Sequence, residues 1–143
     1  MIYIKVSQIN FITIMDQSFG KEYKLCSKKA IDLLFEHKKV VKQFPFVMTY
    51  LKMELPTKKT FQVVISAPKK IFRKAHDRNR IKRLMREVFR KKKLILEDFL
   101  QKENIQLALF LVYTNQEELK YDMLESKMER LLIKLKNELK PTL

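Results

Sequence analysis

In 143 residues the chain has one cysteine, Cys26, one glycine, Gly20, and two histidines, His37 and His76. A single thiol permits no internal disulfide, and a reducing compartment, the cytoplasm, is the expected location. One glycine excludes a P-loop and a GxGxxG dinucleotide fingerprint, because both need several glycines for close backbone approach to phosphate. Two histidines and one cysteine do not make a familiar zinc set. Long hydrophobic runs are missing too. Residues 1–15 are apolar but interrupted by Lys5, Ser7, Gln8, Asn10 and Thr13. That falls short of the roughly 20 apolar residues of a spanning helix, and it lacks the basic start and small-residue cleavage site of a signal peptide. Nothing in the chain reads as a repeat or a low-complexity linker.

Acid is also scarce. Asp and Glu number 16 against 31 Lys and Arg, a formal net charge of +15. Such an excess points to a polyanionic partner, a nucleic acid or an anionic membrane surface. Hydrophobic residues make up 46% of the chain, enough for one domain with one modest core. The charge is concentrated: residues 69–93, KKIFRKAHDRNRIKRLMREVFRKKK, hold thirteen basic residues and two acidic ones, a net +11.

The elements follow from periodicity. Residues 27–39 read as a helix with Ser27 as N-cap and Ala30, Ile31, Leu34 and Phe35 on one face; Leu33 and Val40 widen that face, and Pro45 stops continuation. Residues 46–55 and 60–67 read as two strands separated by a Pro56-Thr57-Lys58-Lys59 turn, short enough that an antiparallel pair is expected. The basic helix follows, with Asp77 at its N-terminus as a capping carboxylate. Ile81, Leu84, Met85 and Val88 cluster on one side, continued by Ile95 and Phe99. Arg78, Asn79, Lys82, Arg83, Arg86 and Arg90 occupy an arc of about 140° on the other. Phe89 lies at the edge of that basic arc, either bordering the core or offering a stacking surface. Residues 105–113, IQLALFLVY, predict a central strand buried on both faces. A last helix begins near Asn115, with Leu124, Met128, Leu131, Leu132, Leu135 and Leu139 as its apolar stripe. The predicted class is α+β, in one domain over residues 19–143. Residues 1–18 form an N-terminal extension, either disordered or adding a strand.

Arginine grips phosphate with a planar fork and lysine acts as a mobile point charge. Several of them on one exposed helical face match a charged backbone at several points. Asn79 can both donate and accept, so it suits a base edge, a 2′-OH or a metal-bound water as well as phosphate. The charged block as a whole makes Lys69, Lys70, Arg73, Lys74, Arg78, Asn79, Arg80, Lys82, Arg83, Arg86 and Arg90 candidate RNA contacts. A solvated helix face would mix charge signs at i and i+4; here only Glu87 interrupts.

The order of residues is more specific than the charge. Arg78-Asn79-Arg80-Ile81-Lys82-Arg83-Leu84-Met85-Arg86-Glu87 resembles the RNR signature of the bacterial ribonuclease P protein subunit. Val63 to Lys70 with Ala75 resembles the strand and linker leading into it, and Lys24-Leu25 through Leu34-Phe35 resembles the family's first helix. The resemblance spans residues 19–139. It implies an α/β sandwich with a mixed four-stranded sheet and a left-handed βαβ crossover, like domain 2 of ribosomal protein S5. It implies a protein that binds a large catalytic RNA and the 5′ leader of precursor tRNA, assisting endonucleolytic removal of the leader. The RNA would perform the phosphodiester chemistry with Mg2+, bound mainly by the RNA and not by the protein alone. The implied partners are that RNA and precursor tRNA, with no membrane and no obligate protein partner. The RNR positions carried over are Arg78, Asn79, Lys82, Arg83 and Arg86. The leader-cleft candidates are Ile31 and Phe35 on the first helix and Phe46, Met48 and Tyr50 on the strand. The chain departs from the family pattern at Ile31, where an aromatic is common, and at Phe72-Arg73-Lys74, where a glycine is frequent.

Other readings compete with this one. A ribosomal or assembly protein would share the charge without a leader cleft. A free-standing nuclease would need clustered carboxylates for two metal ions, and Asp16, Glu22, Asp32, Glu36, Glu54, Glu97-Asp98 and Glu117-Glu118 do not form such a cluster in sequence. A membrane-surface helix would leave the apolar face of the basic helix without its use in a folded domain.

Overall fold

The structure is a computed structural model, and it describes residues 19–37 and 39–141. The expectation for residues 1–18 lies outside the described residues.

Helix α1 (Lys28–His37) starts where the sequence places it: the backbone N–H of Ala30 donates to Ser27 Oγ at 3.2 Å, so an otherwise unpaired first-turn donor is satisfied. The helix does not extend to Lys39. Lys39–Gln43 is instead a strand, β1, which sequence periodicity missed. With only Val41 buried in KVVKQ, the segment is too short and too polar to display a period of two. It pairs antiparallel with β2 (Phe46–Lys52) through a tight turn at Phe44-Pro45.

Strand β3 (Phe61–Ser66) corrects a second expectation. It runs opposite to β2, as expected, but does not pair with it. The sheet order is β1-β2-β4-β3, with β4 (Leu107–Tyr113) antiparallel to β2 and parallel to β3. Residues 53–60 therefore step across the end of β4, and Gln106 at the entry of β4 holds them there. Its side-chain amide donates to the carbonyls of Thr57 and Lys59 at 2.9 Å each, and its oxygen accepts from Leu55 N–H at 2.9 Å. The apolar run of β4 follows from its central place, but burial on both faces is incomplete. Leu107, Leu109, Leu111 and Tyr113 are buried in the main core, while on the α1 side Ala108 is buried and Phe110 and Val112 are half-buried.

Between β3 and β4 the chain forms α2 (Ala75–Lys92) and α3 (Leu94–Glu103). The sequence reading carried one apolar arc through to Phe99, but the helix breaks at Lys93. Asp77 is not the cap either: α2 begins at Ala75, Lys74 occupies the N-cap position without a side-chain cap bond, and Asp77 lies in the first turn. There its charge still favours the helix N-terminus. Helix α4 (Tyr121–Leu139) starts later than expected. The loop before it is tied by the Tyr113 hydroxyl, which donates to Glu117 C=O at 2.7 Å and accepts from Leu119 N–H at 3.1 Å. The predicted stripe, Leu124, Met128, Leu131, Leu132, Leu135 and Leu139, is buried throughout.

The sheet has two unequal sides. Phe46, Met48, Phe61, Leu109, Leu111 and Tyr113 point toward α2, α3 and α4 and form the main core with Ile81, Met85, Val88, Leu96 and the stripe of α4. Phe89 is in this core, fully buried between Phe61 and Phe19; it borders the core and is no stacking surface. Among the described residues the other side carries α1 alone, over a small cluster of Leu25, Ala30, Leu34, Leu55 and Ala108.

Candidate nucleic-acid interface

Helix α2 buries Ile81, Met85, Val88 and Phe89 and turns the opposite face outward. On that face Asn79, Arg83 and Arg86 are exposed and Lys82 is half-buried. Their positions at i, i+3, i+4 and i+7 place them on one side of the helix. Lys82, Arg83 and Arg86 form no salt bridge with any described residue, so their charge is available to a ligand.

The other candidate cations divide by partner. Arg80 is clasped by Glu118 through two bonds of 2.7 and 3.0 Å, which fix it against the loop before α4. Arg90 pairs with Glu87 at 2.6 Å, and that hydrogen bond holds the Glu87 carboxyl below the ordinary carboxylate range. Arg78 points back: its guanidinium donates to the carbonyls of Phe72 and Arg73 at 3.0 Å each. It therefore fastens the linker that presents Lys69, Lys70, Arg73 and Lys74, all exposed.

The linker needs no glycine. Ile71 and Phe72 N–H both donate to Pro68 C=O, at 3.1 and 2.9 Å, making a turn. Phe72 then inserts into the core against Tyr113. Among the described residues the one positive φ belongs to Asn104, so nothing in residues 69–74 demands the left-handed region that glycine serves.

Lys93 is the member of the basic block that faces inward. It is fully buried, 3.1 Å from Glu97 Oε1 and 3.3 Å from Tyr23 Oη. A lysine so placed cannot reach RNA; it cross-links the α2–α3 junction to the segment before α1.

A second surface lies on the side of the sheet that carries α1. Phe35 is 47% exposed and its ring meets that of Phe110 edge-on at 4.9 Å. Ile31, Leu51 and Val64 are half-buried around them. Three of the cleft candidates are not here. Phe46, Met48 and Tyr50 point to the other side of the sheet and are buried in the main core. Both faces of FVMTYLK are apolar, so alternation could not choose between them; packing gave the larger set to the thicker core. The residues that sequence reasoning missed are Leu51, Val64 and Phe110. The register that pairs Thr49 with Phe110 and Leu51 with Ala108 brings them together, and no local signal marks it.

Among the described residues no group of three or more His, Cys, Asp or Glu side chains could hold a metal ion. Among them, too, no helix is long and apolar enough to cross a membrane.

The family model Ribonuclease P matches residues 19–136. A ribonuclease P protein component of Porphyromonas gingivalis is 29% identical over 120 residues, covering 82% of this chain and 88% of the relative. One of Legionella pneumophila is 37% identical over 73 residues, 51% of this chain and 61% of its own length. The solved structure of the Staphylococcus aureus RNase P protein superposes with a TM-score of 0.61 at 19% identity, covering 79% of this chain and 94% of that one. At that identity the superposition bears on the fold, and the fold agrees.

Proposed function

The chain belongs to the ribonuclease P protein family, and from that premise we propose how its two surfaces divide the work of the holoenzyme. As a ribonuclease P protein component it is part of an endoribonuclease complex that processes tRNA, and it associates with ribonuclease P RNA. Our reading assigns the outward face of α2, with Asn79, Lys82, Arg83 and Arg86, to the catalytic RNA. The linker cations Lys69, Lys70, Arg73 and Lys74 extend that footprint. Arg78 and Arg80 hold the helix and linker in place for it, and Arg90 lies at its far end.

The surface of Phe35, Ile31 and Phe110 takes the 5′ leader of precursor tRNA. An exposed aromatic beside half-buried aliphatics offers stacking to unpaired bases without reading their sequence. The RNA carries the phosphodiester chemistry with Mg2+; the protein contributes position and charge neutralisation. The observation that carries the reading is the two-sided α2: one face packed on the sheet, the other with Lys82, Arg83 and Arg86 in a row without acidic partners among the described residues.

Reconstitution with a bacterial ribonuclease P RNA at low Mg2+ tests it. Leader removal from precursor tRNA should be stimulated by the protein. No stimulation would refute the reading, and cleavage by the protein alone would make the protein a nuclease instead.

A further inference from the structure

The cations of α2 do not stand alone. Residues 19–25 form a strap that runs beside the edge of β3, and between strap, β3 and α2 lies a groove of about 410 Å³. Lys21 and Lys24 enter it from the strap, and Lys82 and Arg86 from α2. Phe19 and Ile65 give it apolar surface, and among the described residues no carboxylate lines it.

The strap is a fixed wall. Leu25 N–H donates to Val63 C=O at 3.2 Å, and Lys24 bridges Val63 in parallel. The Gln62 side-chain amide donates to Glu22 C=O at 3.1 Å. Tyr23 is the peg: its buried ring lies 5.3 Å from Phe19 and 5.1 Å from Phe61, with the ammonium groups of Lys59 and Lys93 at 5.2 and 4.9 Å. The two strap lysines are thus presented from a backbone that is already ordered, so a ligand need not order it on binding.

Two of the residues that line the groove, Leu25 and Val64, also belong to the cluster beneath α1 on which Phe110 sits. The groove therefore continues the aromatic surface of Phe35 and Phe110 around the β3 edge. We propose that it carries the 5′ leader onward from that surface, phosphates on Lys21 and Lys24 and a base against Phe19 and Ile65, with Lys82 and Arg86 on the α2 wall marking where the leader passes the catalytic RNA. A narrow groove with cations on both walls and an apolar floor suits one unpaired strand, whose bases are free to turn inward. The proposal rests on the reading of the Phe35 surface as the place of the leader.

The test uses the reconstituted holoenzyme and precursor tRNAs with full-length and stepwise-trimmed leaders. Three proteins are compared: the unaltered chain, the double variant Lys21→Ala/Lys24→Ala, and Phe35→Ala. Lys21 and Lys24 are exposed, so the double variant is expected to fold. It should bind the full-length leader several-fold more weakly. It should also lower the salt slope of log K by about 1.4, at about 0.7 per single-strand phosphate contact. Its affinity for the trimmed precursor and for the catalytic RNA should be unchanged. Equal losses with trimmed leaders, or weaker binding to the catalytic RNA alone, would overturn the proposal by giving the groove to that RNA. If Phe35→Ala abolishes leader dependence and the double variant does not, the groove proposal falls and the Phe35 reading stands. If Phe35→Ala too leaves leader dependence intact, both fall.

Discussion

Lys93 shows how a residue's setting overrides its type. In sequence it is the last of three consecutive lysines and reads as surface charge; in the fold it is fully buried and paired with Glu97, itself only 15% exposed. Removing one partner of a buried ion pair strands the other. Lys93→Ala is therefore expected to lower the unfolding free energy by about 3 kcal/mol, measured by urea denaturation, while Lys70→Ala should leave the midpoint where it is. The Glu97→Gln/Lys93→Met double variant should recover most of the loss, because neither charge is then left alone. Glu87 carries a smaller effect. Its hydrogen bond from Arg90 depresses the folded-state pKa, so the pair's stabilisation is present above the unfolded carboxylate value and fades as pH falls through the lower folded one. Both side chains are solvent-accessible, 28% for Arg90 and 44% for Glu87, which limits the effect to below about 1 kcal/mol. In an NMR titration of the Glu87 carboxyl, Arg90→Ala should return the midpoint toward the ordinary value.

At the scale of the element, α2 does two jobs on two faces, and they separate by experiment. Arg83→Ala removes an outward cation that has no ion-pair partner among the described residues. It should weaken binding to ribonuclease P RNA and reduce the magnitude of the salt slope by about 0.7 to 0.9 without altering thermal stability. Asn79→Ala should weaken binding with the slope intact, since its contribution is hydrogen bonding; a changed slope would count against that role. Much of this helix was legible in sequence because its two periodic arcs are long. Its ends were not. The cap at Lys74 and the break at Lys93 depend on what the turns pack against: Phe72 entering the core before the helix, and Tyr23 meeting Lys93 after it. Strand β1 was illegible for the opposite reason. Its pairing partner defines it, and its own five residues carry too little pattern.

For the whole molecule, the sheet decides which residues meet RNA. Met48 is fully buried on the helix-covered side and Phe35 is exposed on the other. Met48→Ala should cost about 2 to 5 kcal/mol of stability with no selective effect on leader binding. Phe35→Ala should leave stability nearly unchanged and weaken binding of leader-bearing precursor by about 1 to 3 kcal/mol, with affinity for the catalytic RNA retained. A selective loss with Met48→Ala would reverse the assignment of the two sides. The sequence by itself determined the charge, the basic helix with its core and outward faces, the central strand, the last helix and the family, because each of these rests on residues close together in the chain. Tertiary structure alone decided that β4 lies between β2 and β3, that Phe46, Met48 and Tyr50 turn away from α1, that Phe110 joins Phe35, and that Lys93 turns inward. Those outcomes are set by strand register and by the unequal thickness of the two layers, which arise only when segments far apart in the chain compete for the same buried space.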